Sequence, residues 1–250
     1  MEKDFATKYG DLDKWHWWFR GRRKVLEAVL NREFGNGKSA NILSVGCGPA
    51  DGLKWLVPFS GTEGRVVGLD SELIHAQPTP DNVDFVVGSL EDTSFPDHSF
   101  DLVLALDVLE HLEDDLGALQ KIRNLIKPGG LLLLTVPALP SLWGRQDVAS
   151  HHLRRYTRRS LEALLTAGTL NNRRVTYFNS LLFPAVAGVR WSRRVLGLGD
   201  RARTDFEGHQ PGLANDVLAW VFGLESGIVN LTSMPIGVSL LATCRIPLHE

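Results

Sequence analysis

The chain has 250 residues, 44% of them hydrophobic and 22% charged, with 24 glycines, 12 prolines and a formal net charge of −2. These are the proportions of an average soluble globular chain, which excludes collagen-like, coiled-coil and wholly disordered organisations, and a chain of this length buries enough surface to need no metal or disulfide staple. Cys47 and Cys244 are too far apart in sequence to form a framework or a Cys-based zinc site, no run approaches the ~18 apolar residues of a spanning helix, and Met1 to Lys8 has no signal-peptide core, so the expectation is one cytoplasmic domain without stable membrane insertion.

The first thirty residues read as a helical extension carrying three of the seven tryptophans, in Trp15-His-Trp-Trp-Phe19. Asn41 to Val45 is a short apolar strand that ends in Gly46-Cys-Gly48, and Ala50 to Val57 then has helical character. Arg65 to Leu69 is a second strand, closed by Asp70, and Val83 to Val87 a third. Phe100 to Leu106 is the fourth, and Leu109, Leu112, Leu116, Leu119 and Ile122 give Asp107 to Ile126 the spacing of one helix. Lys127-Pro-Gly-Gly130 stops that helix, and Leu131 to Val136 is a fifth strand, apolar on both faces. Continuous apolar strands alternating with helices predict a parallel sheet covered on both sides.

Beyond Pro137 the pattern loosens. Arg158 to Ala167 reads as helix and Arg173 to Phe178 as strand. Two apolar segments, Leu181 to Leu196 and Leu213 to Asn230, flank the polar stretch Gly197 to Gly212, and Pro235 to Cys244 is the last strand. Charge divides along the same line: residues 1–140 hold 21 acidic against 14 basic residues, the remainder 8 against 13, and every basic residue after Lys127 is arginine. Arginine matches carboxylate and phosphate with a planar fork, so the C-terminal part is expected to face anionic groups.

A strand ending in Gly46-Cys-Gly48 lets a ligand approach the backbone closely, and Asp70, at the end of the next strand, can accept both hydroxyls of an adenosine ribose. Asp51, three residues beyond Gly48, would repel a phosphate at the helix N-terminus, which favours a nucleoside without one, such as S-adenosylmethionine (SAM), over a dinucleotide.

At these residues the chain resembles the class I SAM-dependent methyltransferases, particularly the small-molecule type 11/12-like group. Five segments carry the resemblance: Ile42-Leu-Ser-Val-Gly-Cys-Gly48; Val66-Val-Gly-Leu-Asp70; Phe95-Pro-Asp-His-Ser-Phe-Asp-Leu-Val-Leu-Ala-Leu-Asp-Val-Leu-Glu-His-Leu112; Lys127-Pro-Gly-Gly-Leu-Leu-Leu-Leu-Thr-Val-Pro137; and His151-His-Leu-Arg-Arg-Tyr-Thr157. It implies a Rossmann-like α/β fold with a seven-stranded sheet, order 3-2-1-4-5-7-6, the last strand antiparallel. The single domain would comprise a helical cap (1–40), a SAM-binding half (41–137) and an acceptor-side half (138–250) with a helical insertion (180–232) lined or cored by Leu182, Phe183, Trp191, Trp220 and Phe222. Gly46, Cys47 and Gly48 would lie against the methionine part, Asp70 and Ser71 at the ribose, Ser89 and Leu90 at the adenine, Leu106 and Asp107 along the far wall, and Arg22 of the cap at the methionine carboxylate. Ser44, Ala50 and Ser89 depart from the family's usual acidic residue, third glycine and aspartate, with Asp51 and Glu91 or Asp92 as replacements.

Methyl transfer is an in-line displacement served by orientation and desolvation, with a base needed only where the acceptor carries a proton. His111, His151, His152 and Tyr156 are the catalytic candidates, and Trp18, Arg154 and Arg155 the substrate-binding ones, Arg154 and Arg155 otherwise pairing with Asp147 or Glu162. The expected product from SAM is S-adenosyl-L-homocysteine (SAH). The expected acceptor is a small molecule, natural-product-like or peptide-derived and carboxylate-bearing in one version, methylated on O, N or C by a monomer or homodimer without nucleic acid or metal. The competing expectations are a SAM-binding protein without transferase activity and a nicotinamide-dependent oxidoreductase, the latter disfavoured by the missing third glycine.

Overall fold

The computed structural model describes residues 12–36, 39–72, 81–196 and 210–248. Seven strands, β1 (Ile42–Val45), β2 (Val66–Asp70), β3 (Val83–Val87), β4 (Phe100–Leu106), β5 (Ile126–Pro137), β6 (Arg173–Phe178) and β7 (Ser239–Arg245), form one sheet in the order β3-β2-β1-β4-β5-β7-β6. The first five pair in parallel, and β7 runs antiparallel to both β5 and β6. The expected order and reversal are both present.

Alternation along the central strands divides the core in two. Val103, Ala105, Leu132 and Leu134 face one layer, with Leu119 and Ile122 of helix α3 (Asp115–Leu125) and Leu161 and Leu165 of α5 (Arg158–Ala167). Leu102, Leu104, Leu131 and Leu133 face the other, with Val25, Leu26, Val29 and Leu30 of α1 (Trp17–Glu33), Leu53 and Leu56 of a 3-10 helix (Ala50–Leu56), Phe59 of the short α2 (Val57–Ser60), and Phe222 of α7 (Leu213–Ile228). Two further helices, α4 (Arg145–Ala149) and α6 (Phe183–Leu196), flank the C-terminal end of the sheet. No helix of the described residues is long and apolar enough to cross a membrane.

Three boundaries differ from the sequence expectation. The segment after β4 is not one helix: a 3-10 turn (Leu109–His111) comes first, and α3 starts at Asp115 because the Asp114 carboxylate accepts from Gly117 N–H at 2.8 Å and caps a new start. Lys127-Pro-Gly-Gly130 does not separate helix from strand but lies inside β5, where the register against β4 shifts between Phe100 and Leu102. The last strand begins at Ser239 rather than Pro235. Most of the polar stretch between the two C-terminal helices, 197–209, lies outside the described residues.

The N-terminal helix is fastened to the insertion. Trp17 N–H donates to Asn215 Oδ1, Asn215 Nδ2 to Trp15 O and Asn230 Nδ2 to Ala28 O, each at 2.8 Å. Leu182 and Phe222 are buried as expected, whereas Trp191 and Trp220 are 46% and 60% exposed and belong to neither core nor lining. A Cβ on Gly21 would fall 2.5 Å from the Phe222 ring, closer than packed atoms allow. Gly21→Ala should therefore cost about 1–3 kcal/mol by overpacking, read as a lower urea midpoint with unchanged slope. An unchanged midpoint would show that α1 and α7 separate freely.

Candidate active site

A cavity of about 920 Å³ opens beyond the carboxyl ends of β1, β2, β4 and β5 and is also lined by the 3-10 helix, α1 and α6. In a parallel sheet this is where the strands fan apart and neighbouring loops leave a crevice. Gly46 and Gly48 have φ 59° and 66°, and a Cβ on Gly46 would lie 2.7 Å from Val108 Cγ2. The turn therefore needs glycine for both its dihedral and its contact. Gly48 N–H donates to Asp70 Oδ2 at 2.8 Å, and Glu72 N–H to Oδ1 at 3.3 Å. These bonds fix the Asp70 carboxylate at the cavity wall and leave each oxygen further accepting capacity. Burial and the Asp70 charge push the Cys47 thiol well up, so it stays neutral.

Ser44, Ser71, Ser89, Leu90 and Leu106 also line the cavity. Ser89 Oγ donates to Asp92 Oδ2 at 2.8 Å and accepts from Asp92 N–H at 3.2 Å, so Asp92 is committed to the turn after β3. The side chain of Asp51 lies outside the described residues.

At the centre, Arg22 reaches from α1 across the ends of two strands. It pairs with Asp107 Oδ2 at 2.7 Å, donates to Thr135 Oγ1 at 2.9 Å and lies over the Trp18 ring at 4.7 Å from its centroid. Thr135 Oγ1 in turn donates to Asp107 Oδ1 at 3.2 Å. Trp18, Arg22 and Asp107 thus converge, joined by Thr135, which lies in the Lys127–Pro137 motif but was given no role from sequence.

The far end is built from the loops after β4 and β5. Glu110 is fully buried, and neither carboxylate oxygen hydrogen-bonds to another described residue. Burial, reinforced by the Asp107 charge, pushes its carboxyl well above the usual range. The His111 and His152 rings meet edge to face with centroids 4.7 Å apart. Burial and the neighbouring His152 pull the His111 imidazole down to about 4, so it is neutral at physiological pH. His152 Nδ1 lies 3.0 Å from Asp147 Oδ1. Burial alone would raise the Asp147 carboxyl, but the His152 hydrogen bond, the Arg155 charge, Gly144 N–H and Arg190 together hold it below the ordinary carboxylate value.

The structure brings His111 and His152 together and sends their sequence neighbours elsewhere. His151, at φ 55°, is exposed and, with Arg154 and Tyr156, lies outside the cavity lining among the described residues. Tyr156 is buried with its hydroxyl donating to Asp115 Oδ2 at 2.7 Å, and burial and that bond push its pKa up. Arg154 pairs with the same oxygen at 2.9 Å. Arg155 lines the cavity but is buried, with its donors on Asp147, Ala138 O and Val238 O, so the expected pairing with Asp147 is present. Asn179 was not anticipated: at φ 53° and 1% exposed, it lines the cavity with its amide oxygen and nitrogen both unpartnered among the described residues. Its main-chain strain is supported from behind, where Glu225 Oε1 accepts from Ser180 N–H at 2.6 Å and Leu181 N–H at 2.8 Å. A lone asparagine at a strand end carries no sequence signal for this role.

A family profile described as a methyltransferase domain matches residues 18–174. A probable SAM-dependent methyltransferase of Mycolicibacterium smegmatis is 29% identical over 125 residues, covering 49% of this chain and 46% of that protein. A demethylmenaquinone methyltransferase of Listeria monocytogenes is 31% identical over 47% of this chain and 53% of its own length. The alignments thus span about half the length of these curated relatives. Among solved structures, a chain of the complex between the Haloferax volcanii Trm112 methyltransferase activator and its putative methyltransferase superposes with a TM-score of 0.61 at 18% identity, over 99% of this chain and 96% of that one. At that identity the likeness is one of fold.

Proposed function

The chain belongs to the methyltransferase-domain family, and from that premise we propose that it is a class I enzyme that uses S-adenosyl-L-methionine, its cavity seating the methyl donor at the glycine-turn end and a small-molecule acceptor at the histidine end. The observation that carries this reading is the continuity of one cavity from Gly46, Gly48 and Asp70 to Glu110, His111 and His152. On this reading Asp70 accepts the ribose hydroxyls, the Gly46-Cys-Gly48 backbone lies along the methionine part, Ser89 and Leu90 flank the adenine, and Leu106 and Asp107 wall the methyl group. Two Arg22 contacts are committed to Asp107 and Thr135, but its buried Nε has no partner among the described residues and is the donor for the methionine carboxylate.

In the transfer a lone pair on the acceptor forms a bond to the methyl carbon while the carbon–sulfur bond breaks and its pair stays on sulfur, giving SAH. Where the acceptor carries a proton, it leaves to solvent through the Glu110–His111–His152 end. The wall contributes orientation and exclusion of water. Arg190, which also donates to Leu142 O, and Arg193 of α6 line the cavity, and their positive charge favours a carboxylate-bearing acceptor. The whole chain serves as one unit, with α1 as cap, residues 41–137 as donor half and 138–250 as acceptor half.

Calorimetry with SAM and SAH tests the donor site without knowledge of the acceptor. Both should bind once per chain, and Asp70→Ala should weaken SAH by about 10- to 100-fold, since two ribose hydrogen bonds are lost and their partners left unpaired. Absence of binding by either nucleoside would sink the reading, and NADH binding in its place would establish the oxidoreductase.

A further inference from the structure

Methyl transfer explains an open cavity and a neutral imidazole, but not a fully buried glutamate whose two carboxylate oxygens hydrogen-bond to no other described residue. Two buried acceptor oxygens without a partner call for one, because a polar group left unsatisfied in the interior is costly. The nearby cations are committed: Arg22 to Asp107, and Arg155 to Asp147. What faces Glu110 is a pair of imidazoles. One ligand atom from each of Glu110, His111 and His152 lies within 4.8 Å of the other two, and His152 Nε2 stands 3.9 Å from Glu110 Oε1. Donors arranged tetrahedrally around a divalent ion at bonds of about 2.1 Å are about 3.4 Å apart, so side-chain movements of about 1 Å close these three on a cation.

The surroundings match a metal site in a second respect. A metal-bound histidine is held in the correct tautomer and orientation by a hydrogen bond at its other ring nitrogen. His152 has this bond at Nδ1, 3.0 Å from Asp147 Oδ1, and Asp147 is itself fixed by both of its oxygens to Arg155 at 2.9 and 3.0 Å and by Gly144 N–H at 2.8 Å. Nε2 is thereby left for the ligand. No metal was expected from the sequence, and the chain offers no thiolate here; two imidazoles and a carboxylate suit Zn²⁺, Mn²⁺ or Fe²⁺.

We propose that Glu110, His111 and His152 form a divalent transition-metal site at the acceptor end of the cavity, with the coordination position facing the cavity left open for an acceptor oxygen. The proposal rests on the reading that the acceptor occupies this end, and deepens it to a hydroxyl-bearing acceptor. Coordination lowers the pKa of the bound hydroxyl. The O–H bond then breaks with the proton leaving to water, and the metal-held oxygen anion forms the O–CH3 bond as the carbon–sulfur pair returns to sulfur. The two histidines act as ligands rather than as the groups that take the proton.

The test uses the full chain, stripped with a chelator, desalted and titrated with Co²⁺ by visible absorption and with Zn²⁺ by calorimetry. One saturable site per chain is expected, with a d–d absorption band for Co²⁺, and affinity should fall by about 100-fold in Glu110→Gln and in His152→Ala. Glu110→Gln keeps the shape of the side chain, and SAH calorimetry on each variant reports whether the fold and donor site are intact. No saturable binding, or binding undiminished by both substitutions in folded variants, would overturn the metal site. Failure of SAH to bind a chain that still takes one Co²⁺ would overturn the methyl-donor reading and leave the metal site standing.

Discussion

Asp147→Ala should lower the unfolding free energy by about 3–5 kcal/mol, the range for removing one partner from a buried ion pair. Asp147 and Arg155 are both almost wholly buried, joined by both carboxylate oxygens. The same carboxylate also receives Gly144 N–H at the start of α4 and meets His152 Nδ1. Removing it strands a guanidinium in the interior and releases His152 from its orientation at once. Arg155 cannot escape to solvent, because its other donors are tied to Ala138 O and Val238 O, which belong to the segments leaving β5 and entering β7. Arg155→Met in the same chain should recover part of the loss, since a methionine of similar volume leaves no buried charge. The pH dependence has a definite sign. Asp147 is held below its ordinary value in the folded protein, so its contribution is fully present above the unfolded pKa of about 4 and fades as pH falls through the lower folded value. Urea titrations followed by tryptophan fluorescence should show the gap between wild type and Asp147→Asn narrowing below about pH 4. A loss under about 1 kcal/mol at pH 7 would mean that water reaches Arg155.

The glycine-turn half of the chain was legible because its elements are local. A strand, its terminal glycines and the aspartate closing the next strand fall within thirty residues, and a parallel sheet buried on both faces writes itself as unbroken apolar runs. The histidine end is different. Glu110, Asp147 and His152 are brought together by two loops from separate strands, and nothing in the spacing of either loop states that they meet. The doublets His151-His152 and Arg154-Arg155 illustrate why. Within each pair one residue turns in and the other out: His151 adopts a left-handed φ and faces solvent while His152 enters the cavity, and Arg154 pairs with Asp115 while Arg155 is buried against Asp147. Residue type alone assigns both members the same chemistry. Tyr156 failed as a catalytic candidate for a similar reason, its hydroxyl being consumed at the first turn of α3. Trp191 and Trp220 misled in the opposite direction, because a helix that packs along one side displays the same apolar residues whether or not they point inward.

Arg22→Ala should both destabilise the protein, by about 2–4 kcal/mol, and weaken SAH about tenfold or more, two effects that packing of α1 alone would not couple. The side chain is 11% exposed and ties the N-terminal helix to Asp107 after β4 and Thr135 on β5. Asp107 sits at φ 58°, an unfavourable backbone for a non-glycine residue, and the ion pair and the Thr135 hydrogen bond hold it there. Without Arg22, the Asp107 charge also acts on buried Glu110 with one of the two opposing guanidinium groups gone, so the cost spreads to the histidine end of the cavity. Trp18, which lines the cavity, loses the guanidinium over its ring and keeps its edge-to-face contact with Phe19. Arg22→Lys should restore part of the stability and little of the SAH affinity, because an ammonium carries the charge but cannot bond Asp107 and Thr135 while offering Nε to the methionine carboxylate. Denaturation and SAH calorimetry on the same three proteins separate the contributions: wild-type affinity in Arg22→Ala would confine α1 to a structural role, and full recovery in Arg22→Lys would reduce the arginine to a point charge.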